Sequence, residues 1–495
     1  MGYEDYSDCP TTSLFAEDPA FKTQRDTALR DYAAIAAQAS DDRTAVENKK
    51  TLLSEADKVL APFKQLCDFH IRAYTDRSIT EQDYLHKMAG HQTNLLAEER
   101  SEQCFHWELE FPEVLLHQRG FDCVIGNPPY SVPKASIYLA IAFEKVFNGR
   151  ANLWQAFVYQ GLILINGLGR VGVIIPRTML NDSYSKSLRG YLRQSAHIDS
   201  IIDIRDRHNT FPGVLQACVI TLFSHRANDL PALLGSVDRP TDLPGEFPIA
   251  KITYKSIFIG KPGEQKILHS PYPEIYGIFD KIYRNSHNLV GLGLPAKTGP
   301  VQWDKYTDKL QASETPNSTM LLWAENVQRY RLASARVRAN KQYIRMPLGF
   351  EPNVSGKTIL IQRITAQEQE WRIIACLVVL EKYSYSENHT NYISIPNNQD
   401  AVSLLLILNS SLIDFIFRHI NSNTQVSSGE LNSLPIKLPT LDQAANMLEI
   451  YQEFKGFGDS HKIMIAQELA DELIFDVYAL TAEERRFIRL SRSNR

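Results

Sequence analysis

The stretch that most constrains this chain runs from Gly120 to Tyr130, Gly-Phe-Asp-Cys-Val-Ile-Gly-Asn-Pro-Pro-Tyr. Its first half, Phe121 to Ile125, is a short apolar run rich in β-preferring residues and ended by glycine. That is the pattern of a buried strand stopping at a tight loop. Proline holds its own φ near about −65° and restricts the residue before it, so Asn127 and Pro128 are both expected in extended geometry. An amide oxygen and a neighbouring proline carbonyl then make two acceptors converging on one point. They suit an exocyclic amine, whose two N–H groups they can hold while its nitrogen attacks an electrophile. The Tyr130 ring offers a flat face on which a base could stack after leaving a helix. A Pro-Pro pair by itself merely ends a strand; flanked by Asn and Tyr behind a buried strand, it points to chemistry.

With 495 residues the chain is long enough for two to four domains with large cores. Its hydrophobic share of 44% and charged share of 22% are ordinary for a globular protein. The net charge of −4 means that a nucleic-acid partner would have to be met by a local basic patch. The six cysteines (Cys9, Cys67, Cys104, Cys123, Cys218 and Cys376) are scattered, without a Cys-x-x-Cys pair or a histidine at ligand spacing. This argues against a disulfide framework and against structural zinc, so no metal site is expected. No signal peptide opens the sequence and no apolar run is long enough to span a membrane, so a cytoplasmic protein without a membrane partner is expected.

Residues 1–100 read as helical scaffold. Leu29, Tyr32, Ala33, Ala36 and Ala37 make one helical face; Leu52, Leu53, Ala56, Val59, Leu60 and Phe63 make another. Asp41-Asp42 separates them, and Thr75 to Ser78 marks a further turn. Residues 101–228 alternate helix and strand: helix over 137–147, helix from Asn152 to Ile165, strand over 169–176, helix over 178–196, strands over 198–204 and 217–224. This fits a mostly parallel sheet with a closing hairpin. Prolines and glycines then accumulate, and 229–248 reads as a linker. Short strands and turns fill 249–440, and 441–495 is a helical tail. The run Arg329, Arg331, Arg336, Arg338, Lys341 and Arg345, interleaved with Tyr330 and Tyr343 and free of acids, suits phosphate contacts and base stacking. A solvated charged face is the competing reading.

Asn127-Pro128-Pro129-Tyr130 is similar to the catalytic motif of the amino-methylating DNA methyltransferases, in the form typical of N6-adenine enzymes. The wording from Phe105-His106-Trp107 through Val114 to Tyr130 resembles the large type IIG restriction-modification methylases. The resemblance implies an α/β fold: a partial class I, Rossmann-like methyltransferase sheet, followed by an α+β target-recognition domain. It implies S-adenosylmethionine as cofactor and double-stranded DNA as partner. Asn127, Pro128, Pro129 and Tyr130 would be the catalytic motif, with Tyr130 stacking on a flipped adenine. Asn127, Asn152 and Trp154 would lie near the methionine end of the cofactor. For the latter two, a capping Asn and a core Trp compete. Phe211 takes the position of an aromatic that holds the base from its other face, or plugs a hairpin turn. The series Ile359 to Thr365, Glu387-Asn388-His389-Thr390, Leu408-Asn409-Ser410 and Leu431 to Pro435 resembles a target-recognition domain, where Arg363 would reach a guanine edge or a phosphate.

One element of that family is missing. No strand followed by Gly-x-Gly precedes Asn127. The sole Gly-x-Gly-x-x-Gly, Gly167 to Gly172, stands between a helix and a strand and reads as a helix cap and turn. The cofactor-binding half is therefore expected to be absent, as in one half of a split methyltransferase whose partner protein carries it, a truncated gene product or a degenerate member. A catalytically inactive DNA-recognition subunit of a defence system is the alternative, and a protein-glutamine methylase is a further one.

Overall fold

The computed structural model describes residues 19–74, 79–80, 104–117, 119–134, 137–206, 216–227, 229–260, 266–333, 341–347, 349–366, 368–397, 400–421, 424–456 and 460–493. The chain divides into two compact units, Met1–Lys255 and Ser256–Arg495.

The first unit opens with helices Pro19–Ala37 and Arg43–Ala73; the second packs largely through its expected face, whereas the first buries Phe21 and Ala28 and leaves Ala33, Ala36 and Ala37 of its expected face exposed. Phe21 meets Phe63 edge to face at 4.9 Å, and Ala28, Ala56 and Leu60 are buried with Tyr32 against them. Leu53, expected on that face, is exposed. Asp42 starts the second helix by accepting a hydrogen bond from the Ala45 amide at 2.7 Å. The Thr75–Ser78 turn lies outside the described residues. The second helix also fixes the approach to the site. Asp68 accepts from the Cys104 amide at 3.0 Å and holds His106 Nε2 at 2.8 Å. Trp107, Phe111 and Phe121 then pack together at the foot of the first strand.

Six strands form the sheet: β1 Phe121–Gly126, β2 Ile165–Pro176, β3 His197–Ile204, β4 Cys218–Ser224, β5 Pro231–Val237 and β6 Ile249–Thr253, in the order β1-β2-β4-β3-β5-β6. Only β1 with β2 and β3 with β5 run parallel; β4 is antiparallel to both its neighbours and β6 to β5. The sheet is thus less parallel than the alternation of helix and strand predicted. Among the described residues, helical crossovers, Leu153–Leu164 and Lys186–Ser195, join only β1 to β2 and β2 to β3.

Three further expectations are corrected. The sheet continues through residues read as linker, because the prolines punctuate strands instead of loosening a tether. Pro231 opens β5, Pro240 begins a one-turn helix, and Pro248 precedes β6. The helix expected over 178–196 starts only at Lys186, because the Asp182 carboxylate accepts from the Tyr184 amide at 2.8 Å and restarts the chain. The Gly167–Gly172 run lies inside β2, not in a cap. A Cβ at Gly169 would sit 2.7 Å from the Phe121 carbonyl oxygen and 2.8 Å from Ile165 Cβ. The glycine there lets β2 shift register against β1 between Phe121 and Cys123.

In the second unit, β7 Phe258–Ile259 pairs with β8 Lys266–Ile267. The main sheet has seven strands: β9 Lys297–Thr298, β10 Leu310–Gln311, β11 Thr319–Leu322, β14 Tyr343–Ile344, β15 Val354–Gln362, β16 Ala375–Ser386 and β17 Thr390–Ser394. Their order is β10-β14-β11-β16-β15-β17-β9. β12 Val327–Gln328 and β13 Arg331–Leu332 form a separate hairpin. The buried helices Ala401–Leu408 and Ser411–Ile420 meet at Asn409. Its amide makes a two-way clasp with Ala375 at the start of β16, accepting at 3.0 Å and donating at 2.9 Å. Asn432 clasps Ala296 in the same way, at 2.7 and 3.0 Å. Helices Leu441–Gly456, Ser460–Val477 and Ala482–Ser493 close the chain. Among the described residues no single helix is long and apolar enough to cross a membrane.

Candidate active site

β1 ends at Gly126, and the motif emerges at its carboxyl end, the side on which open α/β sheets bind ligands. Asn127 is exposed, Pro128 buried, Pro129 exposed and Tyr130 half-buried. The two prolines hold the backbone while the buried Pro128 roots the loop. Among the described residues neither the Asn127 amide nor the Pro128 carbonyl has a hydrogen-bond partner, so both acceptors are available to a ligand. Tyr130 is fixed from its far end: its hydroxyl donates to the Ile174 carbonyl of β2 at 2.9 Å, and the Cys218 thiol approaches that oxygen at 3.9 Å. Burial, and then the neighbouring Cys218, push the phenol well above its usual range, so it stays neutral. The ring is a positioned surface, not an acid or a base.

Helix Leu153–Leu164 locks the loop from behind, its first amide donating to the Ser131 carbonyl at 2.9 Å. Asn152 stands at the cap position but makes no capping bond, and its amide oxygen is buried without a partner. Asn152 therefore carries a buried acceptor that the chain itself leaves unmet. Trp154, in contrast, is 1% exposed, so it fills the core role and has no surface left for a cofactor.

The turns after β2 were not singled out from the sequence. The Gln155 amide donates to Ser185 Oγ at 3.0 Å and to the Tyr184 carbonyl at 3.3 Å, and Asn148 donates to the Ser183 carbonyl at 3.2 Å. These bonds tie the turns to the segment around Asn152. Gln155 Oε1 and Asn181 Oδ1 are buried acceptors without partners. Arg189, wholly buried, donates to the Met179 and Asp182 carbonyls at 3.0 and 2.8 Å, and burial lowers its pKa to about 10. The available signal was positional: polar residues directly behind a strand closed by Pro176, at the sheet's carboxyl end. Phe211 lies outside the described residues.

Residues 38–211 match the family of Eco57I restriction-modification methylases. The chain is 25% identical over 381 residues to the Type II methyltransferase M.PstI of Providencia stuartii, covering 72% of this chain and 70% of that protein. It is 23% identical over 340 residues to M.BsuBI of Bacillus subtilis, covering 65% and 66%. Its fold is shared with the Type IIL restriction-modification enzyme MmeI, solved in complex with DNA: TM-score 0.52, 12% identity, 83% of this chain and 63% of that one. This chain is similar to restriction-modification methyltransferases. It spans about two thirds of the length of the relatives it matches.

The basic stretch is not one face. Arg329 turns inward, its guanidinium 3.3 Å from the Trp371 ring centre and donating to the Asn409 carbonyl at 2.6 Å and Gln467 at 2.5 Å. These bonds all use Nη2, while Nη1 is buried without a hydrogen-bond partner, so the guanidinium is turned into the packing and away from an exposed phosphate. Arg331 and Arg345 are exposed; Lys341 is half-buried, its ammonium 4.8 Å from the Trp303 ring centre. The Arg345 amide bonds the Lys309 carbonyl at 3.1 Å, which adds a lysine the sequence reading passed over. Arg336 and Arg338 lie outside the described residues. Arg363 is half-buried, donating to the Asn388 carbonyl at 2.9 Å and to Gln425 at 3.4 Å, with its Nε buried and unmet. His389 is structural: its amide donates to the buried Glu387 carboxylate at 3.0 Å.

Proposed function

We propose that this chain is the catalytic and target-recognition part of a site-specific DNA adenine-N6 methyltransferase of a restriction-modification system, with a class I type sheet. The observation that carries the reading is the pair of unmet acceptors, Asn127 amide and Pro128 carbonyl, beside a tyrosine anchored through its hydroxyl. Two fixed acceptors match the two hydrogens of an exocyclic amine. As that nitrogen attacks it gains positive charge, and both contacts strengthen where the charge develops. Tyr130 holds the extruded base by stacking, which offsets part of the few kcal/mol that unpairing costs. Positioning supplies most of the catalysis, and no covalent nucleophile is needed. Cys218, with its thiol pushed up by burial, is not one.

S-adenosylmethionine would supply the electrophilic methyl group when bound. The unmet oxygens of Asn152 and Asn181 suit its methionine ammonium, and Asn127 is assigned to the same end of the cofactor. The glycine-rich turn that would cradle the adenosyl part is absent before Asn127. Exposed Arg331 and Arg345, with Lys341 and Lys309, are the phosphate contacts we propose, and Arg363 is proposed as a reader of a base or a phosphate.

The test is mass spectrometry of DNA from a methylation-deficient bacterium expressing the chain together with its cofactor-binding part. N6-methyladenine at one sequence, lost in Asn127→Ala, is expected. N4-methylcytosine, methylated protein glutamine, or DNA binding without any methylation would overturn the reading, the last in favour of an inactive recognition subunit.

A further inference from the structure

We infer that the turn Arg329-Tyr330 is a positioning device for the exposed Arg331, and that Gln467 of the closing helix Ser460–Val477 seats it. That Arg331 meets a phosphate rests on the methyltransferase reading; the seating of the turn does not. Strands β12 and β13 pair as Val327↔Leu332 and Gln328↔Arg331, so two residues reverse the chain. The second of them, Tyr330, has φ +68°. A turn with positive φ at that place favours glycine or asparagine, because a Cβ crowds the backbone there. Among the described residues the other non-glycine positions with positive φ, Arg119 and Ala479, are exposed, whereas Tyr330 is 5% exposed. A strained aromatic of this kind persists where its surroundings over-determine it, and such residues gather at ligand clamps.

Tyr330 is held at every part of the residue. Its ring stacks on Phe454 at 3.8 Å, its amide donates to the Ala375 carbonyl at 2.8 Å, and its hydroxyl donates to Gln467 Oε1 at 2.6 Å. The same oxygen accepts from Arg329 Nη2 at 2.5 Å, so one side chain grips both residues of the turn. The helix that carries Gln467 is fixed in turn: Asp471 accepts from the Ser411 amide and hydroxyl at 2.8 and 2.5 Å. Further bonds hold the strands, from Gln362 to the Val327 carbonyl and from the Ala333 amide to the Asn326 carbonyl, both at 2.7 Å. With Arg329 and Tyr330 drawn in, Arg331 is left at the surface. Its Nε donates to Gln328 Oε1 at 2.9 Å, and its terminal nitrogens have no partner among the described residues. A fork held in place loses less freedom on meeting a phosphate than one on a loose loop, so seating the turn raises affinity without touching DNA. Glycine at position 330 would make the turn without strain but would leave it unseated.

The experiment measures binding of the full chain to a fluorescent DNA duplex of random sequence over a range of salt, for Tyr330→Phe, Arg331→Ala and the two combined. Tyr330→Phe keeps the ring on Phe454 and loses the bond to Gln467; it should weaken binding by about 2- to 10-fold. Arg331→Ala should weaken binding and lower the slope of log affinity against log salt by about 1. The double variant should bind as Arg331→Ala does, because Tyr330 acts through Arg331. Gln467→Leu, which removes the same acceptor from the other side, should repeat the pattern. Hydrogen exchange of the amides of 327–333, with DNA absent, should speed up by at least about fivefold in Tyr330→Phe. Asn432→Ala, which loosens the second unit at its clasp on Ala296, should lower the melting temperature and leave the salt slope unchanged. Losses from Tyr330→Phe and Arg331→Ala that multiply, a Tyr330→Phe chain that binds DNA as the parent does, or unchanged exchange would overturn the inference and leave the methyltransferase reading standing. A chain that binds no DNA, its exchange rising as expected, would overturn the reading and the role of Arg331 together.

Discussion

At the scale of single residues, the site separates groups that touch a ligand from groups that hold those groups still. In the proposed reading Asn127 belongs to the first kind, since its amide has no hydrogen-bond partner among the described residues. Removing one charge-assisted contact in Asn127→Ala should lower kcat by roughly 10- to 150-fold, with DNA affinity kept; a binding and turnover assay separates the two. Tyr130 has two functions at its two ends. Tyr130→Phe loses the bond to the Ile174 carbonyl, about 1 kcal/mol in a urea melt, and should keep activity within a few-fold. Tyr130→Ala loses the stacking face and about 1–3 kcal/mol of base binding. Asp199 shows how the sheet's polar fringe depends on pH. Burial pushes its carboxyl up, but His197, Ser224 and Arg170, the last 3.2 Å away, outweigh that and hold its pKa down. A depressed carboxylate contributes stability above its unfolded value of about 3.9, and that contribution is lost as pH falls through the lower folded value. Asp199→Asn should therefore flatten acid unfolding of the first unit below about pH 4 while leaving neutral-pH folding cooperative.

At the scale of elements, glycine and asparagine do work that composition alone does not reveal. Gly169 lies in β2 where the register slips, and Gly169→Ala would drive a methyl group into the Phe121 carbonyl. About 1–3 kcal/mol of lost stability is expected from such overpacking, measurable by thermal melting, with activity reduced in step because β1 carries the motif. Asn409 and Asn432 each replace a missing ladder bond by clasping one residue's N–H and C=O. Asn409→Ala removes the acceptor of the buried Ala375 amide, while the Ala375 carbonyl keeps the bond from the Tyr330 amide at 2.8 Å, and should cost roughly 1–3 kcal/mol in denaturant unfolding. The recurring Asn-Ser text that resembled target recognition therefore holds the second unit's fold at these positions. Such a role was invisible in the sequence, since a clasp needs to know which distant strand lies opposite.

For the whole molecule, a net charge of −4 makes any nucleic-acid affinity a matter of where the positive groups stand. With Arg329 turned inward, the proposed phosphate contacts reduce to few groups. Replacing Arg331, Lys341 and Arg345 together by Ala should lower the slope of log affinity against log salt by about 2–3, and weaken binding equally across sequences. A change confined to one target sequence would instead make them base readers.

The sequence by itself determined the chemistry of the loop. Asn-Pro-Pro-Tyr is local, proline stiffness is local, and a β-preferring run ended by glycine places them behind a strand, although that strand, expected to be buried, leaves Asp122, Cys123 and Ile125 exposed. Helical periodicity likewise marked the first two helices and the closing ones. Tertiary structure alone decided the rest. The Gly167–Gly172 run reads as a turn until β1 is laid beside it, and 231–237 reads as a tether until β3 supplies a partner. Arg329 reads as a phosphate ligand until Trp371 and Gln467 enclose it. Strand pairing and burial are contacts between residues far apart in the chain, so no window of sequence contains both halves of the interaction.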